Sequence, residues 1–175
     1  MILLAEAANA TKKGGQDLIG GIDVRVNRNH FGRQTESFQA DLELSFLPDD
    51  APFPGVFIRA PVVEKILPNV QGVQQAEQQV AESVVAPSRS VKDEAAQRAT
   101  SREVEIMGVL PGRLKRAVEA GGDVPAAEEA GDVIAVKQGN VFGTSFHPEL
   151  TPDCRIHVWW LKQVLQAVNQ RRQSQ

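Results

Sequence analysis

Two stretches of the chain alternate apolar and polar residues with a period of two. Ile22, Val24 and Val26 are interleaved with Asp23, Arg25 and Asn27, and Phe38, Ala40, Leu42 and Leu44 with Gln39, Asp41 and Glu43. Successive side chains of a strand point to opposite faces, so this spacing predicts two half-buried β-strands that face each other like a hairpin. Such a chain is not all-helical. Near the other end, Thr151-Pro152-Asp153 reads as a helix start, with Thr as N-cap, Pro at the first position and Asp facing the positive end of the dipole. That helix is expected to run to about residue 167 with a stripe of Ile156, Trp160, Leu161, Val164, Leu165 and Val168. Strands and helix together make the fold class mixed α/β.

The remaining segments are assigned on the same grounds. Residues 1–9 read as a helix, because Leu and Ala are strong helix formers. Val56-Phe57-Ile58 is a continuous apolar run that suits a strand buried on both faces. Further strands are expected at 103–110, 132–137 and 140–146, the last two joined by Gln138-Gly139, with a short basic helix at 111–120. Residues 71–102 and 121–131 are rich in Gln, Ala, Ser, Glu, Gly and Pro, and too poor in large apolar residues to offset the entropy of ordering. They are expected to be solvated insertions in a single domain, 1–175, with at most a weak helix at 74–83.

Composition excludes several functions. Lys and Arg number 19 against 22 Asp and Glu, for a net charge of −3, and the basic residues are scattered. No patch recruits a phosphate backbone, so nucleic acid is not an expected partner. No apolar run approaches the roughly twenty residues of a membrane span. The single cysteine, Cys154, allows no internal disulfide and suits a reducing compartment. The expected location is cytoplasmic. Met1-Ile2-Leu3-Leu4-Ala5 lacks a basic flank and ends too soon at Glu6 to be a signal peptide. It reads instead as the continuation of an apolar element.

The chemistry is concentrated in Gly143-Thr144-Ser145-Phe146-His147-Pro148-Glu149-Leu150. A histidine here stands between a strand and a helix. If the backbone stays extended through Pro148, His147 and Glu149 project to the same side, and the carboxylate can accept the Nδ1 proton. That fixes the tautomer and leaves Nε2 as a base. The alternative is a surface histidine beside a helix-preceding glutamate.

Six runs in order resemble the glutaminase subunit of pyridoxal 5′-phosphate synthase, a triad glutamine amidotransferase. They are Ile2-Leu3-Leu4-Ala5, Arg28-Asn29-His30-Phe31-Gly32-Arg33-Gln34, Ser37-Phe38-Gln39-Ala40-Asp41-Leu42, Val56-Phe57-Ile58-Arg59-Ala60-Pro61, Val136-Lys137-Gln138-Gly139-Asn140, and Ser145 to Thr151. His-Pro-Glu is shared by the wider amidotransferase class, whereas the Asn-x-Phe-Gly-Arg-Gln and Phe-Ile-Arg-Ala-Pro patterns are specific to the vitamin B6 branch.

The resemblance implies a flavodoxin-like three-layer fold, of which this chain would be the C-terminal part. It implies a Cys–His–Glu triad acting on L-glutamine, with no cofactor and no metal. His147 would move protons, Glu149 would orient it, and Arg28, Ile58 and Arg59 would line the glutamine pocket. The partner implied is a (βα)₈ synthase subunit that receives the ammonia. The family's nucleophile stands in Gly-Thr-Cys-Ala-Gly, which this chain lacks; Met1 corresponds to a position three residues after that cysteine. The chain is therefore expected to be truncated and inactive alone, with apolar faces of 1–9 and 152–167 uncovered. The alternative is a non-catalytic fragment that docks on the synthase subunit. Cys154 lies in a helical first turn, where thiolates are favoured, but without the paired amide donors a nucleophile needs. His147, Cys154 and His157 lack a zinc-site spacing.

Overall fold

The computed structural model describes residues 1–10, 16–28, 37–49, 51–70, 72–87, 103–110 and 131–173. Seven strands form a mixed sheet: β1 (Ala5–Asn9), β2 (Ile22–Asn27), β5 (Val62–Ile66), β6 (Ser83–Val85), β7 (Glu105–Leu110), β8 (Asp132–Gln138) and β9 (Val141–Thr144). Their order is β6-β1-β2-β5-β8-β7, with β9 also paired to β8. β1 and β2 are parallel, and the other pairs in this sheet are antiparallel. A separate antiparallel pair is made by β3 (Phe38–Leu42) and β4 (Phe53–Phe57). Two α-helices complete the described residues, the single turn α1 (Gln75–Gln78) and the long α2 (Arg155–Gln173).

The first segment departs from its helical propensity. After a 3₁₀ turn at Ile2–Leu4, residues 5–9 are a strand whose Ala5, Ala7 and Ala8 are fully buried. Two strands flank it, β2 and β6, and the gain from ladder bonds and burial overrides a preference worth only tenths of a kcal/mol per residue. The strand β2 is likewise not half-buried. Ile22, Val24 and Val26 are inaccessible, and so is Asp23 at 3% exposure. Its carboxylate is satisfied inside the sheet, accepting from Gln138 Nε2 at 2.6 Å and Asn69 Nδ2 at 2.7 Å. Gln138 Oε1 in turn accepts the Asp23 N–H at 2.7 Å.

The two alternating segments do not face each other. β2 lies between β1 and β5, while β3 pairs with β4 in the second sheet. Nor is 56–58 buried on both faces: β4 alternates buried and partly buried residues, and Ile58, just beyond it, is exposed. The β8–β9 turn agrees with its sequence. Gln138 pairs with Val141 across Gly139-Asn140, and Gly139 adopts φ +57, a conformation glycine takes without strain.

Part of the expected 71–102 insertion belongs to the sheet. β6 pairs with β1, and Ala86 is buried. Arg25 Nη1 on β2 ties this region down by donating to Glu77 at 2.7 Å and to the Ser83 hydroxyl at 2.6 Å. The helix there is one turn, not 74–83. Residues 88–102, 111–120 and 121–130 lie outside the described residues, as does the expected basic helix.

The helix α2 starts later than its apparent cap. Asp153 accepts the Arg155 N–H at 3.0 Å, and Thr151 Oγ1 accepts the Asp153 N–H at 3.3 Å. These local bonds hold 151–154 out of the helix. Ile156 is buried, Trp160 stacks on Phe142, and Trp159 meets Phe142 edge-on and Phe46 at a tilt. Leu161, Val164, Leu165 and Val168 face solvent.

The core divides in two. One cluster joins Leu42, Phe53 and Phe57 of the small sheet to Ile134, Phe146 and Ile156. The other is built from Ala5, Ile22, Val24, Val26 and Val136.

Candidate active site

The segment after β9 crosses from one sheet to the other. Ser145 N–H donates to the Ile134 carbonyl of β8 at 2.7 Å, and His147 N–H donates to the Val56 carbonyl of β4 at 2.8 Å. Phe146 is buried between them, its ring 5.9 Å from Phe53 and 5.8 Å from Phe57. A buried aromatic at 146 fixes the next residue at the surface. Pro148 then begins a 3₁₀ turn, Pro148–Leu150, which its fixed φ favours.

That turn brings the histidine and glutamate together, rather than the extended backbone expected from sequence. His147 Nδ1 lies 2.8 Å from Glu149 Oε1, with the two side chains 39% and 58% exposed. The hydrogen bond from His147 holds the Glu149 carboxyl below its ordinary value. A bond from its own backbone adds to this, partial burial opposes it, and the charges of His147 and His157 contribute least. An ionised carboxylate can only accept, so the shared proton sits on Nδ1 and Nε2 has its lone pair for an incoming proton. Such an arrangement can serve chemically as a base oriented by a carboxylate.

Ile58 and Arg59 follow β4, two and three residues after the Val56 carbonyl that binds His147. Both are exposed. Arg59 has φ +47, a left-handed conformation that costs a non-glycine residue of order 1–3 kcal/mol and concentrates at functional sites. Arg28 is placed by a different strand. It follows β2, whose Asn27 is paired with Val62, three residues past Arg59. Its N–H donates to Asn9 Oδ1 at 2.7 Å and its Nη2 to the Gln16 carbonyl at 2.9 Å. Its Nε is buried with no partner among the described residues, and burial lowers the guanidinium's pKa. The structure thus joins His147 and Glu149 directly, while Ile58 and Arg59 follow the strand that holds His147 and Arg28 follows a strand paired with β5.

Cys154 is exposed at the start of α2, where its carbonyl accepts the Val158 N–H at 2.9 Å. Among the described residues no three His, Cys, Asp or Glu side chains converge to hold a metal ion. Two residues without a sequence-assigned role prove prominent. Gln138 is fully buried on Asp23, and Arg155 binds the loop that enters β4. The Asp-x-Arg spacing at 153–155 was the available signal for the second.

Comparison with known proteins bears on what this site belongs to. The SNO glutamine amidotransferase family profile matches residues 1–93 and 111–166. The probable pyridoxal 5′-phosphate synthase subunit PDX2 of Arabidopsis thaliana is 36% identical over 93% of this chain and 54% of its own length. The pyridoxal 5′-phosphate synthase subunit PdxT of Thermococcus onnurineus is 34% identical over 94% of this chain and 56% of its own. A solved glutamine amidotransferase superposes with a TM-score of 0.51 and 31% identity, covering 92% of this chain and 55% of that one. The mixed α/β architecture is consistent with the flavodoxin-like fold. The chain spans about half the length of the curated relatives it matches. On its sequence, its sheet and the extent of the match, the chain belongs to the SNO glutamine amidotransferase family.

Proposed function

We propose that this chain serves in the glutaminase of pyridoxal 5′-phosphate synthesis, acting in the cytoplasm, with residues 1–175 in one amidotransferase domain. The observation that carries the reading is the 2.8 Å contact between His147 Nδ1 and Glu149 Oε1, in a chain whose relatives are named as subunits of that synthase. Among the described residues no helix is long and apolar enough to cross a membrane.

In the proposed reaction a thiolate attacks the side-chain amide carbon of L-glutamine. His147 takes the thiol proton at Nε2 and returns it to the departing nitrogen, so the C–N bond breaks and ammonia leaves. Water then adds to the thioester with His147 again as base, the C–S bond breaks, and glutamate leaves as the proton returns from His147 to the sulfur. Glu149 stabilises the imidazolium in each step. Arg28 and Arg59 supply guanidinium groups suited to the substrate's carboxylate, and Ile58 the apolar wall beside them. The ammonia passes to a barrel-shaped synthase subunit. The thiolate is that of the family's Gly-Thr-Cys-Ala-Gly motif, which these 175 residues do not include; Cys154, their one cysteine, is not assigned that role, so glutamine turnover is not expected of these residues alone.

Ammonia release from glutamine by the purified chain, with and without the synthase subunit, tests this. Neither the chain nor its Cys154→Ala form should release ammonia above background. Robust release that disappears with Cys154→Ala overturns the assignment of roles.

A further inference from the structure

Arg155 opens α2, eight residues beyond His147, and engages every nitrogen of its guanidinium. Nε donates to both carboxylate oxygens of Asp153 at 3.0 Å, and Nη2 to Asp153 Oδ2 at 2.6 Å and the Pro52 carbonyl at 2.9 Å. Nη1 donates to the Ala51 carbonyl at 2.8 Å and to the carboxylate of Asp49. The Arg155 guanidinium carbon also lies 5.9 Å from the centre of the Phe53 ring. A planar fork with several fixed donors can close this set, whereas a lysine offers one point charge.

The bonds close a loop of structure around the site. At one end, His147 is fixed to β4 by its N–H on Val56. At the other, Arg155 fixes the start of α2 to 49–52, the segment that leads into β4. Between the two anchors the chain carries Pro148, Glu149 and Thr151, whose hydroxyl donates back to the Pro148 carbonyl at 3.2 Å. Glu149 itself is largely exposed, and His147 is the side-chain partner its geometry records. Its alignment depends on where the backbone of this bridge is held.

We propose that Arg155 is a positioning residue for the His147–Glu149 pair: by clamping the far end of the 147–155 bridge to the segment that leads into β4, while the His147 N–H holds the near end, it keeps the carboxylate on Nδ1. It touches neither substrate nor reacting atoms, and its role rests on the function proposed for that pair.

The test is the tautomer of His147, read from ¹⁵N chemical shifts and long-range ¹H–¹⁵N couplings of the histidine-labelled chain above its imidazole pKa, with His147→Gln to assign the signal. The chain should show Nδ1–H as the major form. Glu149→Gln should lose that preference and revert to the Nε2–H form usual for an unconstrained imidazole. Arg155→Lys, which keeps the charge, and Asp49→Asn, which cuts one arm, should each shift the population toward Nε2–H at temperatures where circular dichroism shows an intact fold. A merely structural role would lower the melting temperature and leave the tautomer unchanged. Retention of the Nδ1–H form in folded Arg155→Lys overturns the inference; should that variant not fold, retention in Asp49→Asn does so. An Nε2–H form already in the unaltered chain contradicts the reading of the pair itself, which is a separate failure.

Discussion

Strand β2 and helix α2 carry comparable apolar periodicity and meet opposite fates. In β2, Ile22, Val24 and Val26 are all at 0% exposure, because sheet neighbours lie on both sides and their side chains join a core cluster with Ala5, Leu18 and Val136. In α2, Ile156 is buried at 3%, but Leu161 and Leu165 stand 60% and 61% exposed. A repeat of apolar residues shows which face could be buried, not what covers it. The site draws on the covered region for its rigidity: His147 is held through β4 and Phe146, whereas the exposed turns of α2 lie beyond Arg155.

That contrast can be broken most severely at Phe57, which lies at 0% exposure beneath Phe146 and against Phe38, with the two rings 4.6 Å apart. Phe57→Ala should cost about 3–5 kcal/mol, the range for emptying a large aromatic from a core, read as a drop in the urea midpoint. A smaller loss is expected at Gln138→Leu. It removes the bonds that satisfy the buried Asp23 carboxylate and N–H, and a buried group left unsatisfied costs about 1–3 kcal/mol. Denaturation of the variant against the unaltered chain measures it. On the other side, Leu161→Lys and Leu165→Lys should each move stability by within about 0.5 kcal/mol, as for surface positions, while raising solubility. A loss of several kcal/mol at either position would show that the exposed face is packed in solution.

A comparably small effect concerns the site. The folded pKa of Glu149 lies below its ordinary value of 4.5. Its contribution to stability is therefore fully present above that value and is lost as pH falls through the lowered one. For an ion pair this exposed the contribution is about 0.2–1 kcal/mol. Acid titration of stability should show this slope in the chain and lose it in Glu149→Gln.

Much of this was legible from residue order. Period-two alternation located β2 and β3, and the strand assignments at 103–110, 132–137 and 140–146 fall on β7, β8 and β9. His-Pro-Glu marked a directly bonded pair, His147 and Glu149. What escaped depends on tertiary context. The alanines of β1 look helical until two strands claim their backbone bonds, and the partner of β3 lies beyond a loop whose direction no local pattern fixes. Arg155 has no role assigned from sequence because its acceptors on Asp49, Ala51 and Pro52 are distant in the chain. The left-handed backbone at Arg59 has no sequence signature, since arginine is not a residue that favours it.

The central claim is that His147, oriented by Glu149, is the acid–base of glutamine hydrolysis. It is met most directly by a chimera in which the stretch of a relative that bears the family's Gly-Thr-Cys-Ala-Gly motif is joined ahead of Met1, with ammonia release from glutamine measured in the presence of the synthase subunit. A nucleophile and its base act as a unit, so His147→Ala should reduce turnover by on the order of 10⁶, while Cys154→Ala leaves it unchanged. Turnover that survives His147→Ala, or that is lost with Cys154→Ala, would contradict the account.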